Sequence, residues 1–515
     1  MIVAVPSPEI RPTKSPDQCT ARALVALSLA SAFAIFAFAG TMGLLRSALA
    51  AIIVAAGCAA FVAWLFWRHP LLPFYQQAVS RQLKIISGVA TLAALVELAR
   101  LCVFIVNPAA AGYAIGPLRG PGLPIAHSCV SAYFVAAQSA PTAPDIYSSD
   151  LYALPFETPD AIRRPKRIGP FNIDAYEYPP PFLLLPRALR ILAPDFLHFR
   201  MIWFALNGAA VLCGLLAVVR ILESVAGTRA LLLCPLIFAS DHMITTLQIG
   251  NLQAMVIALS VLAMVFFARN RYLIGGALLA CVTLSKMFPG LLLVYLLVRR
   301  QWRALAWTLT LCATLIAVSL LDTGRTPYHA FLHHLPRLLS GEAFPAFRNP
   351  VSIAKNYSLP GLVFKLHLFS LPGTSFAAMK MVGTIYMLIA LAATVILARQ
   401  TRRRDAQPIV WLAILILGSL RSPFLPSYGI LPALWLLTLL AARAALTAKR
   451  LCVVLLAWLM LNASIPRLDP DPRLTSIAVL ISQAAIVILA VLAFRHWPES
   501  LDSKIPGEPQ SAPMS

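Results

Sequence analysis

Tyr272–Val298 reads YLIGGALLACVTLSKMFPGLLLVYLLV. It is apolar except around one cation, Lys286, which sits in the break Ser285-Lys286-Met287-Phe288-Pro289. Read as one helix, the stretch is a membrane span with a proline kink. Read as two short helices meeting at the break, it enters a membrane and returns. The choice sets the direction of every element that follows. Arg269 and Arg271 precede the stretch, and Arg299, Arg300 and Arg303 follow it. Only the returning path puts both clusters on one side. With the N-terminus on that side too, and the other runs alternating, its short loops hold eighteen Lys and Arg. The opposite short loops hold five: Arg46, Lys286, Arg421, Arg467 and Arg473. The two long loops are left out, because long loops translocate largely regardless of charge. The asymmetry is that of the positive-inside rule, so we expect a broken hairpin with Lys286 near the exoplasmic face.

The rest of the chain fits that frame. Of its 515 residues 59% are hydrophobic and 12% charged, with mean hydropathy +0.79, whereas soluble domains carry about 25% charged residues. Long apolar runs, rather than short alternating ones, predict helices that satisfy their own backbone hydrogen bonds. The expected fold is an all-α polytopic membrane protein with about 12–14 transmembrane helices, one broken hairpin included. Residues 1–20 read as a cytoplasmic tail without a cleavable signal peptide, 21–82 as two N-terminal spans, 83–442 as a membrane core and 443–497 as C-terminal spans. Residues 498–515 read as a disordered tail. The core carries two long exoplasmic loops, 107–197 and 322–375, the first with interfacial helices. The net charge of +22 is spread between apolar runs, which points to anionic lipid and not to nucleic acid. The nine cysteines form no CxxC and no disulfide framework.

Unusual polar residues converge on the exoplasmic side. Asp174–Phe182, DAYEYPPPF, closes the first loop. Its prolines suit a helix start and would hold Glu177 and Tyr178 at a cleft mouth. Asp145, Asp150, Glu157 and Asp160 are further acids of that loop, and His127 precedes an amphipathic stretch containing Tyr133. Removal of a proton from an acceptor hydroxyl needs such a carboxylate or histidine. Gln248-Ile249-Gly250-Asn251 joins two spans, where free helix amides favour an anion. Lys286 and Arg421 are cations at the ends of apolar runs and would suit a lipid-linked phosphate. His329, His333 and His334 have helical spacing, but no nearby acid or cysteine completes a metal set. Walker, Rossmann, HExxH and GxSxG patterns are absent, which argues against a nucleotide-dependent enzyme.

Five motifs occur in order: Tyr176-Glu177-Tyr178-Pro179-Pro180, Gln248-x-Gly250-Asn251, Ser285-Lys286-Met287-Phe288-Pro289, Asn356-Tyr357-Ser358-Leu359-Pro360-Gly361, and Ser422-Pro423 before Tyr428. The set resembles glycosyltransferase family 87, the polyprenol-phosphate-mannose-dependent α-mannosyltransferases of the C-type membrane fold, over roughly Leu83 to Ala442. The resemblance implies metal-independent sugar transfer, without a cofactor, from a polyprenyl-phosphate donor to a lipid or glycan acceptor. It also implies a bacterial plasma-membrane location with an exoplasmic active face. The family's base is an aspartate in a pattern like D-F-x-x-Y-Y-x-A. The matching segment here is Cys129–Ala136, and Cys129 stands in the aspartate's place. His127, Asp145 or Glu177 would then serve as base. Tyr133, Tyr178, Asn251, Lys286, Asn356, Arg421 and Tyr428 would line the substrate site. A lipid-carrier or solute transporter, and a catalytically inactive relative, are the alternative readings.

Overall fold

A computed structural model describes residues 16–68, 79–114, 127–152, 166–222, 224–401, 406–444, 446–463 and 471–495. Glu157, Asp160, most of the N-terminal tail and the C-terminal tail lie outside these residues. The described chain is helical apart from one two-residue hairpin, Arg167–Ile168 (β1) with Phe171–Asn172 (β2). The chain is an all-α polytopic membrane protein.

Seven described helices are long and apolar enough to cross a bilayer. They are α1 (Pro16–Leu45), α2 (Ala48–Arg68), α3 (Arg81–Val106), α6 (Phe196–Leu222), α13 (Trp302–Thr323), α17 (Phe376–Gln400) and α21 (Pro472–Arg495). Between α3 and α6 lie two loop helices, α4 (Cys129–Ser139) and α5 (Leu184–Leu192). After α6 come α7 (Ser224–Leu233), α8 (Pro235–Phe238) and α9 (Asp241–Ile249), where the path bends by 61° and makes an eighth, broken span. From sequence, Ala230–Leu247 reads as one unbroken run. Pro235 and Ser240 are the local breakers, and Ser240 donates to Asn462 at 2.6 Å.

The longer count expected from sequence includes helices that are apolar but short. These are α10 (Gln253–Ala268), α11 (Tyr272–Ser285), α12 (Leu291–Val298), α18 (Gln407–Leu420), α19 (Leu431–Arg443) and α20 (Ala448–Leu461). At 1.5 Å per residue, 8 to 16 residues reach about 12–24 Å, short of a hydrocarbon core about 30 Å thick. Nearly every residue of α10, α18 and α19 is buried, Trp411 and Trp435 among them. Their apolarity therefore serves contacts within the protein. By contrast α2, α13 and α17 expose rows of Leu, Ile, Val and Trp, as lipid-facing helices do.

The path through Lys286 turns back. Asn270 and Tyr272, at the start of α11, line the same cavity of about 510 Å³ as Arg300, Gln301 and Arg303, after α12. Both ends of the segment thus lie together, and the break is at the far tip. The two turns at the shared end are built alike. Arg271 N–H reaches Phe266 O at 2.9 Å and Gln301 N–H reaches Leu296 O at 2.9 Å. Asn270 and Arg300 adopt the left-handed conformation, with φ of 59° and 53°, as such helix ends require. Gly276 lets α11 lie directly on α13, since a Cβ there would meet Trp307 at 3.0 Å. The remaining loop helices, α14 (Thr326–Ser340), α15 (Pro350–Ala354) and α16 (Leu362–Leu368), follow α13. The Arg187–Asp322 ion pair, with an Nη2–Oδ1 distance of 3.0 Å, joins α5 to the end of α13.

Candidate active site

The site begins at Ser131, one turn into α4. Its hydroxyl donates to Asn172 O at 3.0 Å and accepts from Asp174 N–H at 2.9 Å. This clamps the chain after β2 against the start of α4, so the Asp174 carboxylate faces His127 and Cys129. His127 Nε2 is 3.8 Å from Cys129 Sγ and 3.8 Å from Asp174 Oδ2. The clamp is braced from below by Arg200 of α6, only 1% exposed. Its guanidinium lies 4.6 Å from both the Phe104 and Phe171 rings. It also donates to the Phe104 and Ile105 carbonyls at 3.0 Å, closing the last turn of α3.

Tyr133 follows Cys129 by four residues, so it shares that helix face. Its hydroxyl lies 2.9 Å from the Tyr178 hydroxyl and accepts from Leu252 N–H at 3.2 Å. Its ring packs on Tyr178, Phe182 and Trp203. The Tyr178 carbonyl accepts from the Tyr147 hydroxyl at 2.7 Å. The three prolines open a short 3-10 turn, Pro180–Leu183, that feeds α5. Glu177 and Tyr178 directly precede this turn.

Opposite stand Asn251 and Lys286. Gly250 has φ +68°, and a Cβ there would lie 2.0 Å from Val130. Only glycine lets α9 end so close to α4. Two of the amides at this junction, where an anion was expected, are already occupied. Leu252 N–H is taken by Tyr133, and Gln253 N–H donates to Asn251 Oδ1 at 3.0 Å. The polar role passes to side chains. Lys286 Nζ donates to Asn251 Oδ1 at 3.1 Å and to Gln253 Oε1 at 2.8 Å. It also lies 4.7 Å from the Tyr428 ring centre and 5.8 Å from that of Tyr178. Among the described residues no carboxylate pairs with it. Gln253 Nε2 is buried and has no hydrogen-bond partner among the described residues. Gln253 was missed in the sequence; its signal was its place one turn from Asn251 at a helix start beside a cation-bearing break.

Glu177 is half-buried at this mouth, and no described residue hydrogen-bonds to its carboxylate. Burial, reinforced by the charge of Asp174 and opposed by Lys286, pushes its carboxyl well above the usual range. Burial also pushes the Cys129 thiol up, with Asp174 adding to the effect, so the thiol alone is a poor nucleophile.

Other sequence candidates lie elsewhere. Asp145 accepts from Tyr147 N–H at 2.8 Å in a turn behind the tyrosines. Asn356 is fully buried and its amide is fully engaged. Its Nδ2 donates to Pro423 O at 3.0 Å, and its Oδ1 accepts from Ser358 and Leu425 N–H at 3.0 and 2.8 Å. It pins the second loop to the turn after α18. Asn356→Ala should therefore lower stability by about 2–3 kcal/mol, measurable as a shift of the thermal melt in detergent. Arg421 is half-buried at the end of α18, with no ion pair among the described residues. His329 and His333 face each other at 4.6 Å, but His334 turns away to stack on Tyr147.

Fold and cleft define a polytopic membrane protein with a cation, aromatic rings and carboxylates gathered where short helices end. The model of glycosyltransferase family 87 matches residues 176–423. That segment, which carries Glu177, Tyr178, Asn251, Gln253 and Lys286, matches the family, and the match supports a membrane glycosyltransferase. No curated protein and no solved structure matches the chain.

Proposed function

We propose that the protein moves a hexose, mannose or a similar sugar, from a polyprenyl-phosphate donor to a lipid or glycan acceptor on the exoplasmic side of a bacterial plasma membrane. One observation carries this reading. The Lys286 ammonium is held between neutral oxygens and aromatic faces and, among the described residues, has no acid paired to it and lies beside a Gln253 amide nitrogen without a partner. A cation so placed is suited to a phosphate that gains charge as it leaves. The Tyr178 and Tyr428 rings flank it, and such rings suit the level of lipid headgroups.

In this scheme Glu177 takes the acceptor hydroxyl proton. The acceptor oxygen then bonds to the anomeric carbon, and the bond from that carbon to the phosphate oxygen breaks. The electron pair leaves with the polyprenyl phosphate, whose charge Lys286 and Gln253 meet. A raised carboxyl pKa makes the ionised Glu177 a stronger base than an ordinary glutamate, while a smaller fraction of it is ionised. The sidedness rests on the charge asymmetry. Arg300 and Arg303 lie at one end of α11 and α12, and the cleft lies at the other.

The test is transfer from polyprenyl-phosphate mannose in proteoliposomes. Glu177→Gln should lower turnover by about 10²-fold or more. It should also stabilise the fold near pH 7. A carboxyl whose folded pKa is raised adds stability below its unfolded value, about 4.3, and loses it as pH climbs through the folded value. The gap in melting temperature between variant and parent should therefore close below about pH 4. Full activity in Glu177→Gln would exclude it as the base, and flux of substrate across liposomes with no covalent product would replace transfer by transport.

A further inference from the structure

In departure from the metal-independent transfer that the family resemblance implies, and at the segment where Cys129 replaces the family's aspartate, we propose that His127, Cys129 and Asp174 form a divalent transition-metal site of the zinc class, with a fourth coordination position open to the acceptor. Among the described residues they are the one group of three or more His, Cys, Asp or Glu whose donor atoms converge. Nε2, Sγ and a carboxylate oxygen all lie within 4.8 Å of one another. The convergence differs from a catalytic relay. In a relay the histidine faces its nucleophile with one ring nitrogen and its carboxylate with the other. Here the same nitrogen, Nε2, is 3.8 Å from both sulfur and oxygen. Three donors thus surround one point.

The spacing is close to what an ion requires. With Zn–S of about 2.3 Å and Zn–N and Zn–O of about 2.0–2.2 Å at tetrahedral angles, the sulfur–nitrogen distance is about 3.6 Å and the nitrogen–oxygen distance about 3.4 Å. The two separations from Nε2, both 3.8 Å, need to close by only a few tenths of an ångström, and the third pair, sulfur and carboxylate oxygen, lies within 4.8 Å. Thiolate, imidazole and carboxylate together select zinc-like ions over magnesium or calcium. Thiolate and carboxylate also cancel the ion's two charges, so Lys286 keeps its own for the phosphate. Asn251 Nδ2 donates to Cys129 Sγ at 3.4 Å, the kind of outer hydrogen bond that orients a metal's ligand. Access is open, because the side chains of His127 and Asp174 are 47% and 30% exposed. Three protein ligands leave one position for water or a hydroxyl, whose pKa such an ion lowers. The acceptor role rests on the transfer reading above, whereas metal binding does not.

The experiment uses the purified full-length protein in detergent. It is loaded with Zn²⁺ or Co²⁺, freed of loose metal, and read by elemental analysis and by absorption. About one ion per chain is expected. The cobalt form should show tetrahedral ligand-field bands and a thiolate-to-cobalt charge-transfer band. Cys129→Ser should abolish the charge-transfer band, and Asp174→Asn should weaken metal binding by more than about tenfold. His127→Gln, at an exposed position, guards against misfolding and should weaken binding likewise. No retained metal, or a cobalt spectrum without the thiolate band, overturns the site. Protein that transfers sugar yet takes up no ion overturns the site alone. Protein that takes up the ion yet transfers no sugar overturns the transfer reading alone.

Discussion

Methionine in place of Lys286 is expected to lower kcat/KM for sugar transfer by about 10²–10³-fold, the usual cost of removing one preorganised donor at developing charge. The substitution keeps an unbranched chain of similar length against the Tyr428 ring, so the fold should persist. It removes the only cation that faces the cleft from between Asn251, Gln253, Tyr178 and Tyr428 among the described residues. Arginine should not restore full rate. Its planar fork differs in shape from an ammonium that here meets two neutral oxygens at 3.1 and 2.8 Å. Steady-state kinetics in proteoliposomes measure the effect. Turnover within twofold of the parent would remove Lys286 from the donor site and leave Arg421 as the remaining candidate cation.

Arg200→Met should be the most damaging change to stability, costing about 3 kcal/mol or more. Two carbonyls at the end of α3 lose their donor, and two aromatic faces lose the cation between them. The consequence reaches the site, because Phe171 belongs to the hairpin strand whose neighbour, Asn172, holds Ser131 and hence Asp174. Chemical unfolding in detergent should show the loss. Activity measured below the melting temperature should fall as well. An unchanged melt would mean that Arg200 adds no net stability to this packing.

The two cations show what could be read early. Lys286 was legible because it interrupts an apolar run beside a proline, and a lone charge there demands a purpose. Arg200 lies inside a run that stays apolar on average, and its partners are some 95 residues away in sequence. No local pattern announces them. Asn356 was legible as a polar turn, but its task was not, because Pro423 and Leu425 approach it only in the folded chain. Gln253 and the pairing of Asp174 with His127 escaped for the same reason.

Sequence by itself determined the class, a helical membrane protein broken at Lys286, and the ordered motifs that resemble glycosyltransferase family 87. Hydropathy, proline placement and the distribution of arginine are local or additive properties, and they survive without coordinates. Tertiary structure decided which apolar runs face protein instead of lipid, that α11 and α12 return to one cavity, and that Cys129 shares a point in space with His127 and Asp174. Those outcomes depend on distances between atoms brought together by distant packing. A hydroxyl such as that of Ser131 has no determined partner until two loops meet around it.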